Sequence, residues 1–210
     1  MAIASQSLFN MTVGADNTPS SQGLLMPKLQ YRFRALFINF GVGGSTQEIT
    51  KQVMDIQRPS LSFEEIALDI YNSKIYLAGK HTWAETQINL RDDAGGNVTK
   101  LVGQQLQKQF DFVEQASAAT GQDYKFQINY EVLDGGNGTM VPNVLETWEL
   151  YGCFIKSANY NNMDYKSNEP ATIQLSIRFD NAVQSPLSSG IGTSVGRASG
   201  GTAVTGIGRI

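Results

Sequence analysis

Gly79-Lys80-His81-Thr82-Trp83-Ala84-Glu85-Thr86-Gln87-Ile88-Asn89-Leu90-Arg91-Asp92-Asp93-Ala94-Gly95-Gly96-Asn97-Val98 opens the stretch, running on to Val113, whose reading decides the fold. Gly79 to Trp83 reads as a short turn. From Ala84 to Leu90 the chain alternates, with Ala84, Thr86, Ile88 and Leu90 on one side and Glu85, Gln87, Asn89 and Arg91 on the other, which predicts a strand covered on one face. Arg91-Asp92-Asp93 forms a polar exit and Gly95-Gly96 a turn. Asn97 is then placed to cap a helix, in which Val98, Val102, Leu106, Phe110 and Val113 recur at spacings of four, four, four and three. That stripe predicts a helix lying on a sheet.

Outward from this stretch the chain reads as strands. Tyr31 to Ile38 is aromatic and apolar, with Arg32 and Arg34 interleaved in its first half, and ends at a Gly41-Val42-Gly43-Gly44-Ser45 turn. Residues 46 to 60 read as a connection closed by Arg58-Pro59. Leu61 to Ile70 admits a helical turn, but a strand places Ile66, Leu68 and Ile70 on one face and Glu65 and Asp69 on the other. A turn at Tyr71 to Lys74 leads to a short strand, Ile75 to Leu77.

Beyond the helix, Ala116 to Gln122 winds down through small residues to Gly121. Tyr124 to Val132 alternates, with Phe126, Ile128, Tyr130 and Val132 aligned, and Asp134-Gly135-Gly136-Asn137-Gly138 turns the chain. Leu145 to Ile155 carries Trp148, Leu150 and Phe154 on one face, and Ala171 to Phe179 carries Ile173, Leu175, Ile177 and Phe179. Phe126, Ile128 and Trp148 are expected in the core. The sum is a mostly β, antiparallel sandwich or barrel with one packed helix. Three segments follow: an N-terminal arm (1–28), the β domain (29–184) and a Gly/Ser-rich tail (185–210) that cannot build a core. The arm is either a disordered terminus or a piece that orders on a neighbour, and the tail is either free or laid along one.

Composition narrows the function. The chain has 210 residues and a formal net charge of -3, which argues against a dedicated nucleic-acid binder. Charged residues are 17% of the chain against roughly 25% in ordinary soluble domains, a surface suited to extensive protein contact. One cysteine, Cys153, excludes an intrachain disulfide. No basic-then-apolar leader and no apolar run of membrane length is present, so synthesis is expected in the cytoplasm, with no stable membrane insertion.

Candidate chemistry is sparse. His81 is the only histidine, which rules out a two-histidine zinc site within one chain. Cys153 reads as an interior thiol. Asp92-Asp93 and Glu64-Glu65 each resemble a carboxylate pair, yet adjacent residues of an extended chain point to opposite faces. Gly41 to Ser45 lacks the lysine of a phosphate-binding loop. No catalytic, cofactor-binding or metal-binding residue is expected. The helix's other face, with Gln104, Gln105 and Gln107, meets either solvent or an assembly partner.

Several blocks together carry a resemblance. Ala78 to Trp83, the strand ending in Arg91-Asp92-Asp93, the helix through Phe112, the strand Trp148-Glu149-Leu150-Tyr151-Gly152-Cys153-Phe154, and Ile173 to Ala182 resemble the tail tube protein of T4-like contractile-tailed bacteriophages. The resemblance spans roughly residues 30 to 183. It implies a virion structural protein forming hexameric rings that stack into a hollow tube conducting phage DNA into the host. It also implies partners: other copies of the chain, the sheath, the baseplate hub, the tape measure and the tail terminator. In the family a subunit's sheets join its neighbours' into a continuous inner wall, for which Leu61 to Ile70 and Tyr124 to Val132 are the candidates, and an extended loop near the first strand, here Gly41 to Arg58, contributes to ring stacking. The location implied is the virion tail, assembled in the host cytoplasm. Two alternatives stand beside it: the inner tube of a phage-derived injection or type VI secretion-like machine, and a β-rich binding module.

Overall fold

The structure, a computed structural model, describes residues 28–43, 46–135, 141–186 and 190–192. The chain divides into two units, Met1–Arg32 and Phe33–Ile210. In the first, Arg32 N–H donates to the Leu29 carbonyl at 3.2 Å, and its guanidinium lies 5.3 Å from the Tyr31 ring centre. Most of the predicted arm (1–28) and tail (185–210) lies outside the described residues.

The second unit runs β1 (Phe33–Ile38), α1 (Gln47–Lys51), β2 (Val53–Ile56), β3 (Leu61–Ile70), β4 (Ser73–Trp83), β5 (Thr86–Arg91) and α2 (Asn97–Gln109). It continues through β6 (Phe110–Asp111), β7 (Ala116–Ser117), α3 (Gly121–Tyr124), β8 (Phe126–Leu133), β9 (Val144–Asn159), β10 (Thr172–Arg178) and β11 (Asn181–Pro186). Seven strands form one antiparallel sheet in the order β1-β8-β9-β10-β5-β2, with β11 also on β9. The path is open: β1 and β2 do not pair, so the expected barrel is not closed. The other strands form two separate pairs, β3 with β4 and β6 with β7.

β9 is the spine. Its first part pairs with β8 and β11, and its last part pairs with β10. Gly152, at φ +67°, lies between the two. Glu146, Trp148 and Leu150 are buried before it, whereas Cys153 and Ile155 are buried after it, so the inward parity shifts by one. An inserted residue does this to any strand. Phe154, expected to share a face with Trp148 and Leu150, is therefore only half-buried.

Alternation elsewhere matches burial closely. Thr86, Ile88 and Leu90 of β5, Phe126, Ile128, Tyr130 and Val132 of β8, and Ile173, Leu175 and Ile177 of β10 are all buried. All of these but Thr86 join Trp148, Leu150, Ile155 and Phe179 in one apolar cluster. Tyr130 stacks on Trp148 with ring centres 6.1 Å apart, and Phe40 meets Phe126 edge-on at 4.9 Å.

The helix is shorter than its stripe predicts. α2 ends at Gln109 because Phe110 takes extended backbone and the Asp111 carboxylate accepts the N–H groups of Val113 and Glu114, at 2.8 and 3.2 Å. A carboxylate that captures nearby amides competes with the helix for them. These bonds hold the Asp111 carboxyl below its ordinary range. Phe110 is half-buried and Val113 exposed, and the buried residues are Val98, Leu101, Val102 and Gln105. The segment Ala116 to Gln122 is not a fading helix but β7 and the start of α3. The cap position belongs to Gly96 at φ +67°, with Asn97 the first helical residue.

Four further expectations are corrected. Residues 46 to 60 hold α1 and β2, anchored by the fully buried Ile49. The first strand starts at Phe33 rather than Tyr31, and the alternating strand starts at Thr86 rather than Ala84. Gly79 to Trp83 is not a turn but the end of β4. Gly79 lies against the irregularity between Phe63 and Glu65, where an added Cβ would come within 3.0 Å of the Glu64 carbonyl oxygen. An isolated glycine in a strand often marks such a bulge.

Candidate assembly surface

The β3–β4 hairpin turns through Tyr71-Asn72, with Tyr71 at φ +48°. Its register sets Ile66 opposite Leu77 and Leu68 opposite Ile75, with Ile70 beside them opposite Ser73. The intervening pairs are Ala67 with Tyr76 and Asp69 with Lys74. Because side chains alternate across a sheet, Ile66, Leu68, Ile70, Ile75 and Leu77 make one aliphatic face, and Glu65, Asp69, Lys74 and Tyr76 lie on the other. The five aliphatic side chains are each 45–50% exposed.

Two strands alone are marginally stable in water, and an uncovered aliphatic face costs hydration free energy. Among the described residues, the hairpin is tied to the body at its base. Ala84 N–H donates to the Ser60 carbonyl at 2.9 Å, and the buried Trp83 packs on Phe179 with ring centres 5.7 Å apart. On the polar face Lys74 and Asp69 approach to 3.5 Å, an exposed pair of little energetic weight. Leu61 to Ile70 was expected to be a strand and is one. Its long partner β4 exceeds the expected Ile75 to Leu77, and the apolar run Ile75-Tyr76-Leu77-Ala78 before Gly79 was its signal.

The outward faces of the large sheet are polar. Arg34 of β1 pairs with Glu131 of β8. Gln174 Nε2 donates to Gln87 Oε1 at 3.1 Å, and Asn89 Nδ2 donates to both Asp55 oxygens at 3.0 Å. Glu85 is held below the usual carboxylate range by hydrogen bonds from Lys156 and Ser176.

The glutamines of α2 are used inside the chain. Gln105, fully buried, accepts from Gly41 N–H at 3.0 Å and donates to the Tyr124 carbonyl at 2.6 Å. Gln109 accepts from Ile155 N–H at 2.8 Å and donates to the Ile155 carbonyl at 2.9 Å. It thus meets one residue of β9 as a neighbouring strand would. Gln104 reaches Val42 N–H at 3.4 Å, and Gln107 donates to Asp111 at 2.7 Å. A solvent- or partner-facing role is therefore wrong for Gln105.

The residues weighed for chemistry are placed as follows. Asp93 accepts Val98 N–H at 3.0 Å and Asn97 Nδ2 at 2.8 Å, and Asp92 accepts Thr99 Oγ1 at 2.8 Å. Asp93 thus caps the start of α2 while Asp92 holds a side chain of its first turn, and the bond from Val98 leads in holding the Asp93 carboxyl low. Glu64 and Glu65 are exposed at the β3 bulge, and His81 is exposed in β4, its ring 6.3 Å from that of Phe63. Cys153 is buried, its Sγ 3.3 Å from the Leu150 carbonyl, and burial pushes the thiol up to about 12. A thiol so protonated is a poor nucleophile. Gly41 and Gly43 take left-handed backbone and lead into the five-residue α1; Gly44 and Ser45 lie outside the described residues. Among the described residues no group of three or more His, Cys, Asp and Glu side chains is placed to hold a metal ion, and no helix is long and apolar enough to cross a membrane.

No protein-family model matches the chain, and no curated protein matches it. Solved structures do. A chain of the anti-feeding prophage cap, described as the tube-terminating cap, matches with TM-score 0.58 at 17% identity, over 84% of this chain and 99% of that one. A chain of the anti-feeding prophage baseplate matches with TM-score 0.56 at 13% identity, over 77% and 97%. A third lies in the sheath–tube complex of an extracellular contractile injection system, PVC, in its extended state, with TM-score 0.53 at 17% identity over 78% and 95%. The fold is thus one found in contractile injection systems. At these identities the likeness is of fold, and it does not single out T4-like phages.

Proposed function

We propose that this chain is a structural subunit of the inner tube of a contractile injection system, assembling as hexameric rings that stack into a hollow conduit. The observation that carries the reading is the β3–β4 hairpin, whose aliphatic face has no cover among the described residues. A second copy of the chain is the occupant that suits it, since a ring with a stacking face repeats one contact many times. The open ends of the large sheet, β1 and β2, fit the same reading, because edges left unpaired in a monomer are consumed when copies join. In this reading the β3–β4 hairpin contributes to the stacking contact, beside the Gly41 to Arg58 segment, whose Ile49 is buried in the core.

The role is structural rather than catalytic: Asp93 is engaged at the start of α2, Asp92 is bonded to Thr99, and burial keeps Cys153 protonated. The sheath, the baseplate hub, the tape measure and a terminator are the further partners of such a tube. The tail tube of a T4-like phage is the second reading, favoured by the blocks Ala78 to Trp83 and Trp148 to Phe154. In that case DNA is the cargo, and a net charge of -3 per subunit lets it pass without sticking.

Negative-stain electron microscopy and light scattering of the purified chain over a concentration series test the proposal. Rings or hollow tubes of uniform width are the expected result. Particles that stay monomeric even in kosmotropic salt, which strengthens apolar association, overturn it.

A further inference from the structure

β11 is an outer strand of the large sheet, bonded to β9 on one side. On its other side Gln184 N–H donates to the Ile191 carbonyl at 2.8 Å. Residues 190–192 therefore lie along the open edge of β11. Strand N–H groups alternate in direction, so Ala182 N–H and the nitrogen of Pro186 face the same side as that of Gln184. Proline has no N–H to give, which leaves Gln184 as a central donor of this edge. Gly192 makes the close approach possible. Its φ is +97°, and an added Cβ would lie 2.8 Å from Val183 Cγ1 and 2.9 Å from Cγ2.

We propose that residues 190–192 act as a strap over the β11 edge, holding Gln184 N–H within the monomer and releasing it when a second copy joins the sheet there. The proposal rests on the tube reading above. An exposed strand edge is a template for uncontrolled pairing, and covering it with a loop is a low-cost protection. A hold of three residues on a strand edge is short beside a neighbour's full ladder, and it gives way to one. The strap thus sets the concentration at which assembly begins, and it does not prevent assembly.

Two full-chain variants move that threshold in opposite directions. Gly192→Val places a branched side chain against Val183 at an unfavourable φ and lifts the strap. Val183→Cys with Gly192→Cys locks it, since the Cβ of residue 183 and one built on 192 are 3.2 Å apart, just under the about 3.5–4.5 Å of a disulfide. The readout is the lowest concentration giving rings or tubes, by light scattering and microscopy. Losing about one hydrogen bond lowers that threshold roughly tenfold for Gly192→Val. The oxidised double variant is expected to need a higher concentration than its own reduced form. Amide hydrogen exchange on the monomers checks the release directly, with Gln184 protected in the natural chain and exchanging in Gly192→Val. An unchanged threshold with Gln184 released overturns the strap and leaves the tube reading standing. So does a raised threshold in Gly192→Val, which makes the segment an assembly contact. If neither the natural chain nor Gly192→Val assembles at any concentration, the tube reading fails and the strap with it.

Discussion

A Cβ on Gly152 would fall 2.7 Å from Asp180 Cγ, in a backbone conformation that already disfavours any side chain. Both obstacles protect one function, the parity shift that keeps Leu150 and Cys153 in the same core. To make room, the Asp180 side chain must give up its pairing with Lys125, while the Asp180 N–H bond to the Tyr151 carbonyl at 3.0 Å fixes its backbone beside Gly152. Left-handed backbone on a non-glycine residue costs about 1–3 kcal/mol, and moving Asp180 adds to it. Gly152→Ala is therefore expected to lower the melting midpoint by about 5 °C or more, at roughly 2–4 °C per kcal/mol in a domain of this size. A calorimetric midpoint within a degree of the natural chain would show that β9 does not depend on this bulge. Gln105 illustrates a different economy at the same scale. One amide side chain satisfies Gly41 and Tyr124 from inside the core, where an unpaired backbone group would be costly.

Among the elements, β3–β4 is distinguished by what it lacks. Its aliphatic face contributes little to the monomer, so a charge placed there has a predictable split of effects. Leu68→Asp is expected to leave the monomer's melting midpoint within about 2 °C, as exposed substitutions usually do. The same charge, desolvated beneath a neighbouring copy, should raise the assembly threshold at least about tenfold. Unchanged assembly would remove the hairpin from the interface, and a large loss of monomer stability would mean that the face packs on its own chain. Part of this element was readable in advance. Ile66, Leu68 and Ile70 against Glu65 and Asp69 identify β3, just as unbroken alternation identifies β5, β8 and β10. β4 was obscured because Gly79 looks like punctuation, and only the bulge opposite it explains a glycine in mid-strand. The end of α2 was misread for a related reason. Phe110 and Val113 keep the helical spacing, and the competition from Asp111 for the amides of Val113 and Glu114 has no periodicity to detect. The bulge at Gly152 is likewise visible as a glycine in the sequence, but its φ and its neighbour Asp180 come only from the fold.

For the whole molecule the question is which forces join copies, and the surface composition bears on it. With 16 basic and 19 acidic residues the charges nearly balance, and the ion pairs seen, such as Lys74–Asp69 and Arg34–Glu131, close within the chain. Among the described residues, the hairpin's aliphatic face and the backbone edges of β1, β2 and β11 are surfaces that can bind a neighbour. Apolar contacts and backbone pairing respond weakly to simple salt, whereas attraction between exposed charges fades once the Debye length falls below about 10 Å. Raising sodium chloride from 50 to 500 mM is therefore expected to move the assembly threshold by less than about threefold, while ammonium sulfate lowers it through exclusion from the protein surface. Light scattering across both salt series, at fixed pH, gives the comparison. A threshold rising steeply with sodium chloride would assign the interface to charge pairs between copies, and the hairpin would then be a poor candidate for its centre. A flat sodium chloride response with a falling ammonium sulfate response would leave the hairpin and the sheet edges as the surfaces that build the tube.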